Sequence, residues 1–386
     1  MEHTVSNPNA TLFKEDIPAI PPAPIGNCAF LGIAQAGPLN EPVRLNGIFD
    51  FLTTFGDFSP AVEVSYTIAQ FFANGGREAW FVRVGRDTRA ADLIGNTVEK
   101  NGLHALDSVI GLNMLSIPSI AHLPEPELSI ALDETIRYCQ ERRTLLLFDL
   151  PPGIVEPLGV KRWLTEHEKL RHPNVATYFP RVRIADPKAI GTTRLIASSG
   201  TAAGVLARND LNQNIWKTPS GIELQVLGAA GLGYNLTEKE VGQLNSFGVN
   251  SLRKFGAAGT VLNGFKTLMG ADHLSSQWNQ IPVRRLALFI QESLHQGTGW
   301  VGKTTAGEEL WVRLAAQIHE FMMGLFQAGA FAGTTPEDSF LVQCDQTLNS
   351  PADVSRGLVN VLVGFAPTHP QEFYFLKLCR KAKKGS

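Results

Sequence analysis

The sequence predicts an α/β fold: a mixed sheet core flanked by helices, followed by a C-terminal α+β unit and bounded by extended terminal arms. Three observations carry this. Short apolar runs alternate with segments of helical period up to about Pro187, the pattern of a mainly parallel sheet covered on both faces. From about Ile281 the pattern changes to two amphipathic helices followed by three strands. The first 27 residues are polar and then proline-rich, which excludes a helix and favours a stiff, extended segment. The resulting divisions are an N-terminal extended arm over 1–27, an α/β domain over 28–274, an α+β domain over 275–370, and an arm strand with a basic tail over 371–386.

In chain order, Thr11-Leu-Phe-Lys-Glu-Asp-Ile17 is the part of the N-terminal arm able to donate a strand, before the prolines of Ile17–Ile25. Cys28–Ala34 reads as the first core strand. Ser59-Pro60 then offers an N-cap and a first-turn proline to a helix carrying Val64, Ile68, Phe71 and Phe72, which Asn74-Gly-Gly76 stops. Ala79–Val84 is the next strand. A helix over 128–142, a strand over 144–150 broken by Pro151-Pro152, a helix through Trp163 and a strand over 176–184 repeat the alternation. The small residues of Ser198–Ala207 predict a helix packed closely on its neighbour, and Thr237-Glu-Lys-Glu240 is a capping box. Gly228, Gly231 and Gly233 read as a surface turn, since their spacing departs from the dinucleotide-binding fingerprint.

In the C-terminal part, Val283, Leu286, Phe289, Ile290 and Leu294 line one helix, and Leu310 to Phe326 line a longer one opened by Glu308-Glu309 at its positive end. Strands over 339–344, 358–365 and 373–378 follow. The last carries bulky residues on both faces, Phe373 and Phe375 against Tyr374, Leu376 and Leu378. It therefore needs cover on both sides or a partner along its edge. The closing Arg380, Lys381, Lys383 and Lys384 read as a solvated tail, with contact to an acidic protein surface as the alternative.

With 44% hydrophobic and 18% charged residues the chain is an ordinary globular protein large enough for more than one core. A net charge of −2 gives no global field for nucleic acid or an anionic membrane. Neither a signal peptide nor a membrane span is legible, so assembly is expected in the cytoplasm without membrane insertion. Cys28, Cys139, Cys344 and Cys379 have no metal-binding or paired spacing and read as reduced core residues.

One motif invites an enzymatic reading. Gly297-Thr-Gly-Trp-Val-Gly-Lys-Thr304 fits the phosphate-loop pattern, with Lys303 and Thr304 in the functional places and Asp149 as a conceivable Mg²⁺ ligand. A nucleotide hydrolase using 297–304 is the alternative function. A phosphate loop must join a buried strand to a helix, however, and here it follows the helix over 284–296 and contains the bulky Trp300. No other catalytic, cofactor or metal constellation emerges, so an enzyme is not expected.

Several segments, in one order, are similar to tail sheath proteins of contractile phage tails and related contractile injection systems. They include Gly37-Pro-Leu-Asn-Glu-Pro-Val43, Phe49-Asp-Phe-Leu-Thr-Thr-Phe-Gly56, Phe71–Val84, Asn101–Leu106, Asp149–Pro152 and Ser199–Asp210. Ile215–Pro219, Leu244–Asn250, Val283–Leu286, Phe289–Ser293, Gly297–Val301, Leu310-Trp311 and Cys344-Asp345 continue the series. The chain departs from the family at Asn263-Gly-Phe-Lys-Thr-Leu268, where Trp-Gly-Ala-Arg-Thr-Leu is common, and in its N-terminal arm. The resemblance implies a structural subunit without cofactor. It would polymerise with itself as stacked hexameric rings around an inner tube protein, between baseplate and terminal cap proteins, in a phage tail or a released or membrane-anchored particle. It also implies intersubunit strand addition, for which this sequence offers Leu12, Phe13 and Ile17 at one end and Phe373, Tyr374, Phe375, Leu376 and Leu378 at the other. Arg284, Arg285 and Gln327 are the expected tube contacts.

Overall fold

A computed structural model of the chain describes residues 18–85 and 89–384. The chain divides into two compact units, one of residues 24–288 and one combining the N-terminal segment with 289–386. The division falls inside a helix, after Leu288, whereas the sequence pattern places the boundary between 274 and 275; the first half of that helix buries Ile281 and Leu288 in the core of the larger unit.

In the larger unit the elements run β1 (Asn27–Gly32), β2 (Pro42–Leu45), α1 (Ile48–Phe55), α2 (Glu63–Ala73), β3 (Glu78–Arg83), α3 (Ala90–Ile94), β4 (Met114–Ser116), α4 (Glu127–Glu141), β5 (Leu145–Phe148) and α5 (Pro157–Glu166). They continue with β6 (Val175–Phe179), β7 (Val182–Ala185), β8 (Thr193–Ile196), α6 (Ser199–Gln213), β9 (Ala229–Leu232), α7 (Glu238–Ser246), β10 (Asn250–Lys254), β11 (Thr260–Asn263) and the start of α8 (Ile281–Gly297). Eight strands form one sheet in the order β11-β10-β6-β5-β4-β1-β3-β2. Its middle is parallel and its two edge strands are antiparallel.

The apolar runs are continuous because both faces are covered. On β1, Cys28 and Phe30 enter one core cluster while Ala29 and Leu31 enter the other, and all six residues of the strand are buried. The small residues of α6 do what their size permits: a Cβ on Gly200 would lie 2.1 Å from the Thr67 carbonyl, and one on Gly204 would lie 2.5 Å from the Phe71 carbonyl of α2. The capping box at Thr237 forms as expected, with Glu240 N–H donating to the Thr237 hydroxyl and Thr237 N–H to the Glu240 carboxylate.

Three expectations are corrected. Ser59-Pro60 makes a turn, closed by Val62 N–H on the Ser59 carbonyl at 2.8 Å, and α2 starts at Glu63. The run 176–184 is two strands in different sheets, since Pro180 cannot donate to a ladder. Gly231 lies in β9, an edge of the small antiparallel sheet β8-β7-β9, rather than in a turn.

The smaller unit contains the second half of α8, then α9 (Glu308–Gln327), α10 (Pro336–Ser339), β12 (Phe340–Gln343), α11 (Pro351–Arg356), β13 (Leu358–Phe365) and β14 (Tyr374–Lys381). Its sheet has the order β12-β13-β14 and is antiparallel throughout. Val359, Val361, Val363 and Phe365 form its fully buried face, and α9 packs on that side through His319 against Phe340, 5.2 Å between ring centres.

Candidate assembly edge

The last strand is longer than its apolar part. β14 runs on to Lys381 and pairs with β13 over eight residues, from Tyr374 opposite Phe365 to Lys381 opposite Leu358. Arg380 and Lys381 are therefore strand residues and not tail. Arg380 turns inward and caps α8, donating from Nε to Thr298 Oγ1 at 2.7 Å and from Nη2 to the carbonyls of Leu294 and His295.

Register sorts the bulky side chains. Tyr374, Leu376 and Leu378 stand on the covered face with Phe365, Val363 and Val361, and Leu376 is buried. Phe375, Lys377 and Cys379 stand on the other face, where Phe375 is half exposed at 49%. This face is open within the chain, so of the two expectations, cover on both sides or a partner along the edge, the first is not met by the described residues. Leu341 and Phe375 flank Gly364 there, so closely that a Cβ on Gly364 would lie 2.9 Å from one and 3.1 Å from the other. Cys379 is exposed and Cys344 half-buried, whereas Cys28 and Cys139 are the core thiols expected of all four.

β14 is also an edge strand, with no strand beyond it among the described residues. An edge presents a row of unpaired N–H and C=O groups. Here the row is closed at one end. Ala382 N–H still donates inward to the Gly357 carbonyl at 2.7 Å, so Lys383 points the other way. Its N–H donates to Thr304 O at 2.8 Å and its carbonyl accepts from Ala306 N–H at 2.9 Å. The open stretch is thus β14 itself, Tyr374–Lys381, which contains four of the five C-terminal residues read as an intersubunit arm; Phe373 precedes it, its N–H donating to the Gln371 carbonyl at 3.2 Å. Leu12, Phe13 and Ile17 lie outside the described residues.

The same contacts dispose of the phosphate loop. Residues 299–303 form a 3₁₀ turn between α8 and α9, Thr304 N–H bonds Val301 O at 3.0 Å, and Trp300 Nε1 donates to Gln317 Oε1 at 2.9 Å. The loop follows a helix instead of a strand, and its Thr298, Val301 and Thr304 amides donate to the Leu294, Thr298 and Val301 carbonyls, which is not the arrangement of a phosphate loop. Gln317, buried at 2%, is a residue that sequence reasoning missed. Its amide donates to Gly297 O at 3.2 Å and to Pro18 O at 2.5 Å, and Ala23 N–H bonds Ser293 Oγ at 2.9 Å. The proline-rich segment 18–23 is thereby fastened to α8 and α9, with Ile20 packed on Gly297. The available signal was a polar residue among the apolar positions of α9.

The expected tube contacts separate. Gln327 is exposed at the end of α9. Arg285 belongs to the larger unit and is 3% exposed, with Nη1 and Nη2 donating to the two carboxylate oxygens of buried Asp210 at 2.7 and 2.5 Å. Burial pushes the Asp210 carboxyl up in pKa, and Arg285 and the Gly26 N–H pull it back. Arg284 donates from Nε to Asn174 Oδ1 at 2.8 Å and lies 4.9 Å from the Trp278 ring centre; burial lowers it to about 10. Both arginines are engaged inside the larger unit, and Arg285 has no exposed guanidinium to offer a partner.

Solved structures resemble the chain end to end. The sheath of the anti-feeding prophage in its contracted state superposes with a TM-score of 0.72 at 20% identity, covering 95% of this chain and 97% of that one. The chain has the fold of contractile sheath proteins. The contracted sheath complex of the extracellular contractile injection system PVC gives 0.69 at 20% identity, covering 95% and 96%. The sheath tail protein of Desulfitobacterium hafniense gives 0.62 at 10% identity, covering 95% and 98%. No protein-family model and no curated protein sequence matches the chain. The sheath fold here contains no described helix long and apolar enough to cross a membrane.

Proposed function

We propose that this chain is the subunit of a contractile sheath, a structural protein that polymerises around an inner tube and shortens to drive that tube through a target envelope. The observation that supports this most is the sheath fold over 95% of the chain, with relatives of nearly equal extent whose structures are contracted sheaths. Stacked hexameric rings, an inner tube protein, baseplate and cap proteins as partners, and a phage tail or an injection particle as the location are the finer parts of the proposal. The open edge of β14 supports it physically, because a subunit that joins a lattice without closing it needs a pairing surface distinct from its own core. A neighbour's arm adding there, the part played by Leu12, Phe13 and Ile17 in the other direction, would keep copies linked while their cores rotate. For the tube contact the proposal rests on Gln327 and the end of α9.

Electron microscopy of the purified chain, alone and with its tube protein, is the test. Hollow striated cylinders are the expected result, and dispersed monomers under all assembly conditions would oppose the reading. Deletion of 1–17 is the informative truncation, since it removes the proposed donor strand and none of the described contacts. Removing everything after Gln371 would also strip β14 from β13 and unfold the smaller unit.

A further inference from the structure

The face of the small sheet that lies open within the chain carries an ordered row of side chains. Strand alternation places Phe375, Lys377, Cys379 and Lys381 of β14 on that face, and all four are exposed. The row reads as an apolar anchor, a cation, a thiol and a second cation, at steps of about 6.6 Å. The anchor continues across the sheet, since Phe375 and Leu341 close over Gly364 from either side. Lys377 stands opposite Leu362 and Lys381 opposite Leu358, so the neighbouring strand sets no acid against either lysine. Neither lysine has an ion-pair partner among the described residues.

The larger unit carries the complementary order on a helix. α4 buries one side through Leu128, Leu132, Thr135 and Cys139. Its outer side carries Ile130, 52% exposed, followed by the exposed Asp133, Arg137 and Glu141. At 3.6 residues per turn these four fall within about 80° of one another, so they form one stripe. Asp133, Arg137 and Glu141 lie about 4.5, 10.5 and 16.5 Å along the axis from Ile130. Lys377, Cys379 and Lys381 lie about 6.6, 13 and 20 Å along β14 from Phe375. The two series diverge by at most about 3.5 Å, within the reach of a lysine side chain. With α4 laid along β14 in the same direction, Ile130 meets Phe375, Asp133 meets Lys377 and Glu141 meets Lys381. Arg137, held on its own helix by Glu134, stands over the uncharged Cys379. Asp133 and Glu141 have no ion-pair partner among the described residues, so both are available. One exposed isoleucine is ordinary on a protein surface; four matched positions in one order point to a partner.

We infer that the open face of β14 docks the outer face of α4 from a second copy of this chain. The inference rests on the reading that the chain polymerises with itself, and it assigns the β14 face to a helix as well as the β14 edge to a strand. The two halves of the contact are different surfaces, so it links copies head to tail and does not stop at a pair. Arg137→Cys tests it on the full chain in solution, because the introduced thiol then lies over Cys379 of the next copy. Oxidised glutathione takes up the two thiol protons and two electrons as it becomes two reduced molecules. It should convert the variant into a reducible ladder of dimers, trimers and longer chains on a non-reducing gel, while the unmodified chain stays a single band. On that background Lys377→Glu with Lys381→Glu should cut the ladder about tenfold at a fixed time, as should Asp133→Lys with Glu141→Lys. All four changes together should restore it. These positions are exposed, so thermal midpoints should stay within about 2 °C of the unmodified chain and a lost ladder is not a lost fold. A ladder that survives Cys379→Ser, a monomer band alone, or no recovery in the fourfold variant would each overturn the contact. Cylinders without a ladder would overturn it and leave the sheath reading standing, whereas a ladder without cylinders would support it and count against that reading.

Discussion

Arg285→Ala should cripple the larger unit without any partner present. The side chains of Arg285 and Asp210 are 3% and 0% exposed, and they meet through two charge-assisted hydrogen bonds of 2.7 and 2.5 Å. Forming such a pair is nearly balanced by the cost of drying both ions, so its net contribution is small. Removing one ion is different, because Asp210 is then left charged or forced to take up a proton in a site that already raises its pKa. The expected loss is about 3–5 kcal/mol. Asp210→Leu combined with Arg285→Met, which removes both charges and retains volume, should recover most of it. Urea unfolding followed by tryptophan fluorescence measures all three proteins, with the double variant isolating the pairwise term. If Arg285→Ala unfolds within about 1 kcal/mol of the unmodified chain, the pair is not a structural element. If it also fails only in co-assembly with a tube, Arg285 is a contact residue after all.

Three further outcomes are expected. Asp149 lies at the end of β5 with one carboxylate oxygen accepting from Ser199 N–H at 2.9 Å and the other without a partner, and burial raises its pKa. Asp149→Asn should therefore be neutral or stabilising by about 1 kcal/mol at pH 7 in the same unfolding assay, and a loss above about 2 kcal/mol would show that the charge is held by a partner. His172 accepts a hydrogen bond from Asn174 N–H at 3.0 Å, and burial together with Arg284 lowers its pKa from 6.5 to about 4. The folded state thus resists protonation more than the unfolded one. Stability should be complete above pH 6.5 and decline as the pH falls toward about 4, a decline that His172→Gln should reduce in pH-dependent melting. Phe375→Lys, on the open face of β14, should cost the isolated chain less than about 1 kcal/mol yet shorten or abolish cylinders in micrographs; normal sheaths would exclude that face from assembly.

Periodicity carried the fold further than it carried the site. Alternating apolar runs marked the buried strands because burial on both faces leaves β1 apolar beyond its first residue, Asn27, and β5 apolar throughout. Boundaries moved where a local rule met tertiary demand, as at Ser59-Pro60 and Pro180. The phosphate-loop reading failed for a reason visible in sequence, a helix where a strand is required, and the backbone contacts of 298–306 supply the rest. Arg284 and Arg285 show the limit. A helix-surface arginine and a buried one look alike in sequence, because the distinction lies in Asn174 and Asp210, some 110 and 75 residues away in the chain. The anchoring of 18–23 by Gln317 is equally nonlocal.

The contact of Lys383 with Thr304–Ala306 has a geometric consequence. An unpaired edge is ordinarily open-ended, so a visiting strand can slide along it in steps of two residues and stack in wrong registers. With that contact plugging one end, the slot is confined to β14, Tyr374–Lys381, and an incoming strand meets a wall. The barrier works like the stop on a ruler: copies seated there would share one offset.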